Sequence, residues 1–248
     1  MRKIFAALLL LSSQAGFAQF HYGVELGGAY NKMTDDKNVW GATARTKSTF
    51  GGQIGLIGDY GLTEHIYVQP SVFFTIKSSN ETATTSLNLP IAYQGLNLNA
   101  TGSIAMEQKS KFSYIEVPVN ILYKWGQPGE GRFFIGLAPY IAYGVGGKQT
   151  VVQNIKAGVA VFTAFDSTIR NTSSKTFASD SFGYKSLDYG FKICEGYEFP
   201  GGFFFRAEFG LGLANLSNYS DAKSHNMSFA LNIGYMINNK RKKAVAGM

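Results

Sequence analysis

The stretch FSYIEVPVNILYKWGQPGEGRFFIGLAPYIAYGVG, residues 112–146, decides the fold. In its first half Ile115, Val117, Val119, Ile121, Tyr123 and Trp125 recur at every second position, with Glu116, Asn120 and Lys124 between them. That period of two is the signature of a strand with two unlike faces. Residues 126–131, Gly-Gln-Pro-Gly-Glu-Gly, are turn-forming by composition. The alternation then resumes with Phe133, Ile135, Leu137, Pro139, Ile141 and Tyr143, so the stretch predicts a hairpin. Its apolar face is long and aromatic at the ends, and the opposite face mixes charge with Gly and Ala. A lipid-facing wall around a polar lumen accounts for both faces.

Six further stretches repeat the signal. They run at about Phe20 to Tyr30, Phe50 to Tyr60, Ile66 to Lys77, Leu187 to Phe199, Phe203 to Ala214 and Met227 to Ile237. The connections after the first, third, fifth and seventh of the eight strands are long, roughly 31–49, 78–111, 147–186 and 215–226, and the others are short. Outer-membrane barrels sort their connections this way, with short periplasmic turns and long external loops. The expected fold is therefore all-β: a closed antiparallel eight-stranded transmembrane β-barrel with long extracellular loops and both termini in the periplasm. Residual alternation at Leu87 to Leu98 and at Val151 to Phe165 points to strands that continue above the membrane, with ten or twelve spanning strands as the rival count.

Composition agrees with one barrel domain: 248 residues, 16% charged, 15% aromatic and 29 glycines. Arg2 and Lys3, the apolar run from Ile4 to Leu11 and the small-residue ending Gly16-Phe17-Ala18 predict a signal peptide over 1–18. The barrel is expected over 19–237 and a basic periplasmic tail over 238–248. The formal charge of +7 falls to +5 without Arg2 and Lys3, and to +1 without Lys240, Arg241, Lys242 and Lys243. The basic balance thus belongs mostly to the ends, and no nucleic-acid partner is expected. Cys194 is the single cysteine and has no disulfide partner, and His21, His65 and His225 lack ligand spacing, so neither a metal nor a cofactor is expected.

Register follows from energetics. With the apolar residues outward, Glu25, Asp59, Glu116, Glu198 and Glu208 share the lumen with Lys124, Arg132, Lys192 and Arg206. Flipping the seventh strand puts Arg206 in lipid at a cost of about 2 to 4 kcal/mol near the midplane. An eight-stranded lumen is just wide enough for side chains to fill, and buried charges must pair, so these nine residues are expected to form a plugging ion-pair network. Glu195 resists the pattern because it falls on the apolar face; either it is tolerated toward the periplasmic end, where a charge costs about 0 to 1 kcal/mol, or a β-bulge turns it inward.

At Tyr114-Ile115-Glu116-Val117-Pro118-Val119, Gly136-Leu137-Ala138-Pro139-Tyr140 and Asp188-Tyr189-Gly190-Phe191 the chain resembles the PorT-like outer-membrane β-barrel family of Bacteroidetes. That resemblance implies an outer-membrane barrel of about this length and no single activity; the family's namesake is associated with secretion of exported proteins. Outer-membrane lipid is the expected surrounding, other envelope or secretion proteins are the candidate partners, and the residues do not set an oligomeric state. The expected function is a binding or assembly role for the external loops, without catalysis. Two alternatives stay open. One is a small-solute channel; the other is a lipid-modifying enzyme drawing on Asp221, Ser224, His225 and Ser228. Asp166-Ser167-Thr168 and Asp180-Ser181-Phe182 resemble short O-glycosylation sites.

Overall fold

The computed structural model describes residues 20–36, 43–93, 96–127, 130–159, 162–173, 176–177, 184–218 and 223–237. The expected signal peptide, the basic tail, Asp221 and Asp180 to Phe182 lie outside the described residues. Ten strands run in order: β1 Phe20–Asp36, β2 Thr43–Lys47, β3 Thr49–Gly61, β4 Ile66–Tyr93, β5 Leu96–Trp125, β6 Arg132–Val159, β7 Phe162–Ser173, β8 Leu187–Glu198, β9 Phe203–Gly212 and β10 Lys223–Ile237.

Eight of these form an antiparallel ring, β1-β3-β4-β5-β6-β8-β9-β10, and the pairing of β10 with β1 returns it to its start. Apart from the closing pair of β1 and β10, ring neighbours are consecutive in the chain once β2 and β7 are set aside. Three of the glycines at the short-turn end, Gly126, Gly131 and Gly202, have φ of 105°, 101° and 90°, a region open to glycine at little cost. Apolar side chains stand outward around the ring: Leu26, Ile54, Val72, Ile121, Leu137, Ile193, Phe209 and Leu231 are exposed. In water such a surface has no explanation; in hydrocarbon it is the solvated face. Tyr123, Trp125, Phe133 and Tyr197 gather at the short-turn end, and Tyr30, Phe50, Tyr143 and Tyr189 lie toward the other. Pairing of β5 with β6 skips from Pro118↔Tyr140 to Ile121↔Leu137, where Pro118 and Pro139 each withhold a backbone donor.

The two extra strands are not spanning strands. Among the described residues β2 pairs only with β4 and β7 only with β6, both at the long-loop end. The connection expected over 78–111 is mostly a hairpin, with β4 and β5 paired from the wall up to Tyr93↔Leu96. Much of the one expected over 147–186 continues β6 and folds back as β7. Density in Asn, Thr and Gln reads as loop in a sequence, yet these residues satisfy a solvated ladder equally well. A bulge at Val145 re-phases β6, as Tyr114↔Gly144 is followed by Ser113↔Gly146.

Candidate functional site

Alternation carries one phase of each strand inward, and the inward charged residues meet in the lumen. Several of them face a small residue across at least one ladder, which leaves them room. Glu25 lies opposite Gly55 and Gly234, Lys192 opposite Ala138 and Gly210, Glu116 opposite Ala142, and Glu208 opposite Ala230.

Toward the short-turn end, Lys124 Nζ donates to Asp59 Oδ2 at 2.8 Å and to Glu198 Oε2 at 3.0 Å. Glu198 also accepts from Arg132 at 2.9 Å, its direct cross-strand partner. Arg132 in turn donates to the Tyr67 hydroxyl at 2.6 Å, and the Lys124 ammonium lies 4.3 Å from the Tyr67 ring centroid. Gln69 donates to Asp59 at 3.2 Å and accepts from Arg206, so it links this cluster to the next. Arg206 pairs with Glu25 at 3.0 Å between the rings of Phe134 and Phe204. Lys192 joins Glu208 at 2.8 Å and contacts Glu116.

Higher in the lumen lie two residues outside the nine singled out from the sequence. Lys77 is 3.2 Å from Glu116 and 3.2 Å from Asp188. Asp188 further accepts from Asn226 at 2.8 Å and from the Tyr140 hydroxyl at 3.4 Å. Both were within reach of the sequence pattern: Lys77 continues the inward odd phase of Tyr67, Gln69, Ser71 and Thr75, and Asp188 the inward even phase of Lys192 and Cys194. With them the described lumen holds six acids and five bases, and all but Glu198 are buried.

Above this layer an aromatic and aliphatic cluster closes the ring: Met33, Phe112, Tyr114, Tyr140, Tyr184 and Leu216 are buried together. Phe177 packs on it, and its ring occupies the space a Cβ on Gly144 would take. The isolated bridge Tyr184↔Ser217 brings the two chain segments of this cap together.

Among the described candidate catalytic residues, Ser224 and Ser228 share the inward phase of β10 and His225 does not join them. Ser224 is buried on the inward phase of β10, while the adjacent His225 belongs to the outward phase. His225 lines a recess of about 300 Å³ with Thr34, Leu211, Leu213, Asn226 and Met227, and no carboxylate is among the described lining residues. Glu195 stays on the outer face opposite Ile135 and Ala207 in an unbroken register, so the bulge expected there is absent.

One charge pattern runs against the sequence sum. The outward face of the raised sheet formed by β2, β4, β5, β6 and β7 carries Arg45, Lys47, Lys109, Lys111, Lys148, Lys156 and Arg170 against Glu107 and Asp166. The near-neutral total of the barrel segment hides this local excess, because the lumen is nearly balanced at six acids and five bases and further acids such as Glu64, Glu81, Glu130 and Glu195 lie away from this face.

Among curated proteins, none matches the chain by sequence. Similar solved structures include OprG of Pseudomonas aeruginosa, at 12% identity and TM-score 0.41, covering 90% of this chain and 98% of that one. Ail, the attachment invasion locus protein of Yersinia pestis, is 11% identical at TM-score 0.37, covering 88% and 99%. Neisserial surface protein A is 10% identical at TM-score 0.32, covering 86% and 96%. A family model described as outer membrane protein beta-barrel domain matches residues 13–218, most of the chain and seven of the eight ring strands, and the chain therefore belongs to that family of bacterial outer-membrane β-barrels.

Proposed function

We propose that this chain is a sealed barrel of the PorT-like kind that acts through its raised sheet as a binding or assembly surface, with candidate partners among envelope and secretion proteins. The short turns and both chain ends lie in the periplasm in this reading, and the raised sheet stands outside the cell. The single observation that carries it is the sheet's two-faced character. The side continuing the lumen phase bears Leu87, Leu89, Ile104, Phe165 and Ile169, all exposed, whereas the outward side is polar and charged. A polar sheet would serve to close hairpins; exposed apolar side chains gathered on one face mark an interaction surface. The ion pairs beneath plug the lumen, so solute passage through it is not the role, and Ser224 and His225 on opposite faces of one strand speak against an acyl-transfer site.

Two measurements test the reading. Cys194 is buried, so Thr168→Cys supplies a single reactive thiol; its labelling in intact cells by a membrane-impermeant maleimide is expected, and labelling only after lysis overturns the orientation. Photo-crosslinkers at Phe165 and Ile169 should capture a defined partner in intact cells, lost when residues 150–172 are deleted. Crosslinks that are equal in the deletion variant, or absent from every position of the sheet, overturn the binding role.

A further inference from the structure

On the outer surface, each of several strands places a lysine just beyond its last apolar outward residue at the long-loop end. Lys32 follows Tyr30 on β1, Lys111 lies beyond Ile115 on β5, Lys148 beyond Val145 on β6, and Lys185 precedes Leu187 at the start of β8; all four are exposed. One outward step of two residues along a tilted strand rises about 5 Å, so Lys32 and Lys185 stand about 5 Å and Lys111 about 10 Å beyond the apolar residues named, at head-group height above the hydrocarbon-facing wall.

Within this collar, Lys111 and Lys148 are direct cross-strand partners. Like charges directly opposite one another in a ladder repel, and the usual remedy is a carboxylate nearby. Their neighbours have one: Lys109 is 3.1 Å from Glu107 and Lys156 is 3.3 Å from Asp166. The Lys109 hydrogen bond holds the Glu107 carboxyl below its usual range. Lys111 and Lys148 have no ion-pair partner among the described residues. Two like charges held together, unneutralised and at head-group height, form half of an anion site.

We infer that the lysine collar, centred on the Lys111 and Lys148 pair, binds the phosphate groups of outer-leaflet lipid. An anionic head group bridging the two strands neutralises the pair and fixes the height of the barrel in the bilayer, as juxtamembrane basic residues do at anionic membranes. The site lies on the face opposite the apolar docking face and depends on the proposed orientation only for which leaflet it meets; the Thr168→Cys labelling reads that orientation separately.

The test uses the full-length protein in nanodiscs of phosphatidylcholine doped with monophosphoryl lipid A or with its dephosphorylated form, with retained lipid counted by native mass spectrometry. Wild type is expected to retain the phosphorylated lipid at least tenfold over the dephosphorylated one. Lys111→Gln with Lys148→Gln should abolish that preference, while Arg45→Gln with Lys47→Gln, higher on the sheet, leaves it unchanged. All variants are first checked for the folded, heat-modifiable gel band, and if the double lysine variant fails it, Lys148→Gln alone is used. Equal retention of the two lipids, or a preference that survives loss of the pair, overturns the inference. Displacement of the lipid by an equal concentration of inorganic phosphate overturns the lipid assignment in favour of a soluble phosphate site.

Discussion

Replacing Glu116 with alanine removes the acid on which two buried bases converge. Its carboxylate lies 3.2 Å from Lys77 and in direct contact with Lys192, with side-chain exposure of 0%. At an effective dielectric of about 20, each contact of this length is worth about 5 kcal/mol before desolvation is subtracted. Lys77 keeps Asp188 and Lys192 keeps Glu208 after the substitution, so neither ammonium is stranded, but two like charges remain close together with one acid fewer. Removing one partner of a buried pair costs about 3 to 5 kcal/mol, and that is the expected loss of unfolding free energy for Glu116→Ala. Glu116→Ala with Lys192→Met should recover a substantial part, with a coupling of about 1 to 3 kcal/mol in the double-mutant cycle. Reversible urea unfolding from lipid vesicles, followed by Trp125 fluorescence, measures each term. A loss under about 0.5 kcal/mol for Glu116→Ala, a size typical of unremarkable surface changes, would refute the reasoning and show that the lumen charges are solvated.

Two further outcomes follow from the same electrostatics. Exposed pairs are worth about 0 to 1 kcal/mol, so Lys156→Ala with Asp166→Ala, a pair 3.3 Å apart and more than half exposed, should leave stability within about 1 kcal/mol in the same urea assay. Glu195 faces lipid one outward position from the Tyr197 girdle, where a charge costs about 0 to 1 kcal/mol; Glu195→Leu should hold or raise stability by that amount, and a loss larger than this would show that the carboxylate has a partner.

Much of the wall was legible because lipid imposes one rule on every strand. The outward positions from Ile115 to Trp125 and from Phe203 to Leu213 are apolar throughout, and a single slip would put Arg206 in hydrocarbon. The inner face is less constrained by sequence. Which acid meets which base depends on ring register, and Lys77 was easy to pass over because it stands at the point where β4 leaves the apolar pattern while the strand itself continues to Tyr93. The raised sheet was harder still. Above the membrane no hydrocarbon enforces alternation, so Asn, Thr and Gln in ladders resemble loop, and only Leu87, Leu89 and Phe165 betray it. The basic outer face was invisible in the summed charge for a simpler reason: a sum does not say where charges lie, and acids such as Glu64, Glu130 and Glu195, away from this face, offset its bases.

A role for the raised sheet requires a sealed lumen, since an open one would move function to the pore. Planar-bilayer recording of the purified protein tests this most directly. With Asp59, Lys124, Glu198 and Arg132 paired at one end and the Phe112, Tyr114 and Leu216 cap at the other, the expected trace is flat, without stable openings across physiological voltages. Stable openings of porin-like conductance from pure protein would contradict it.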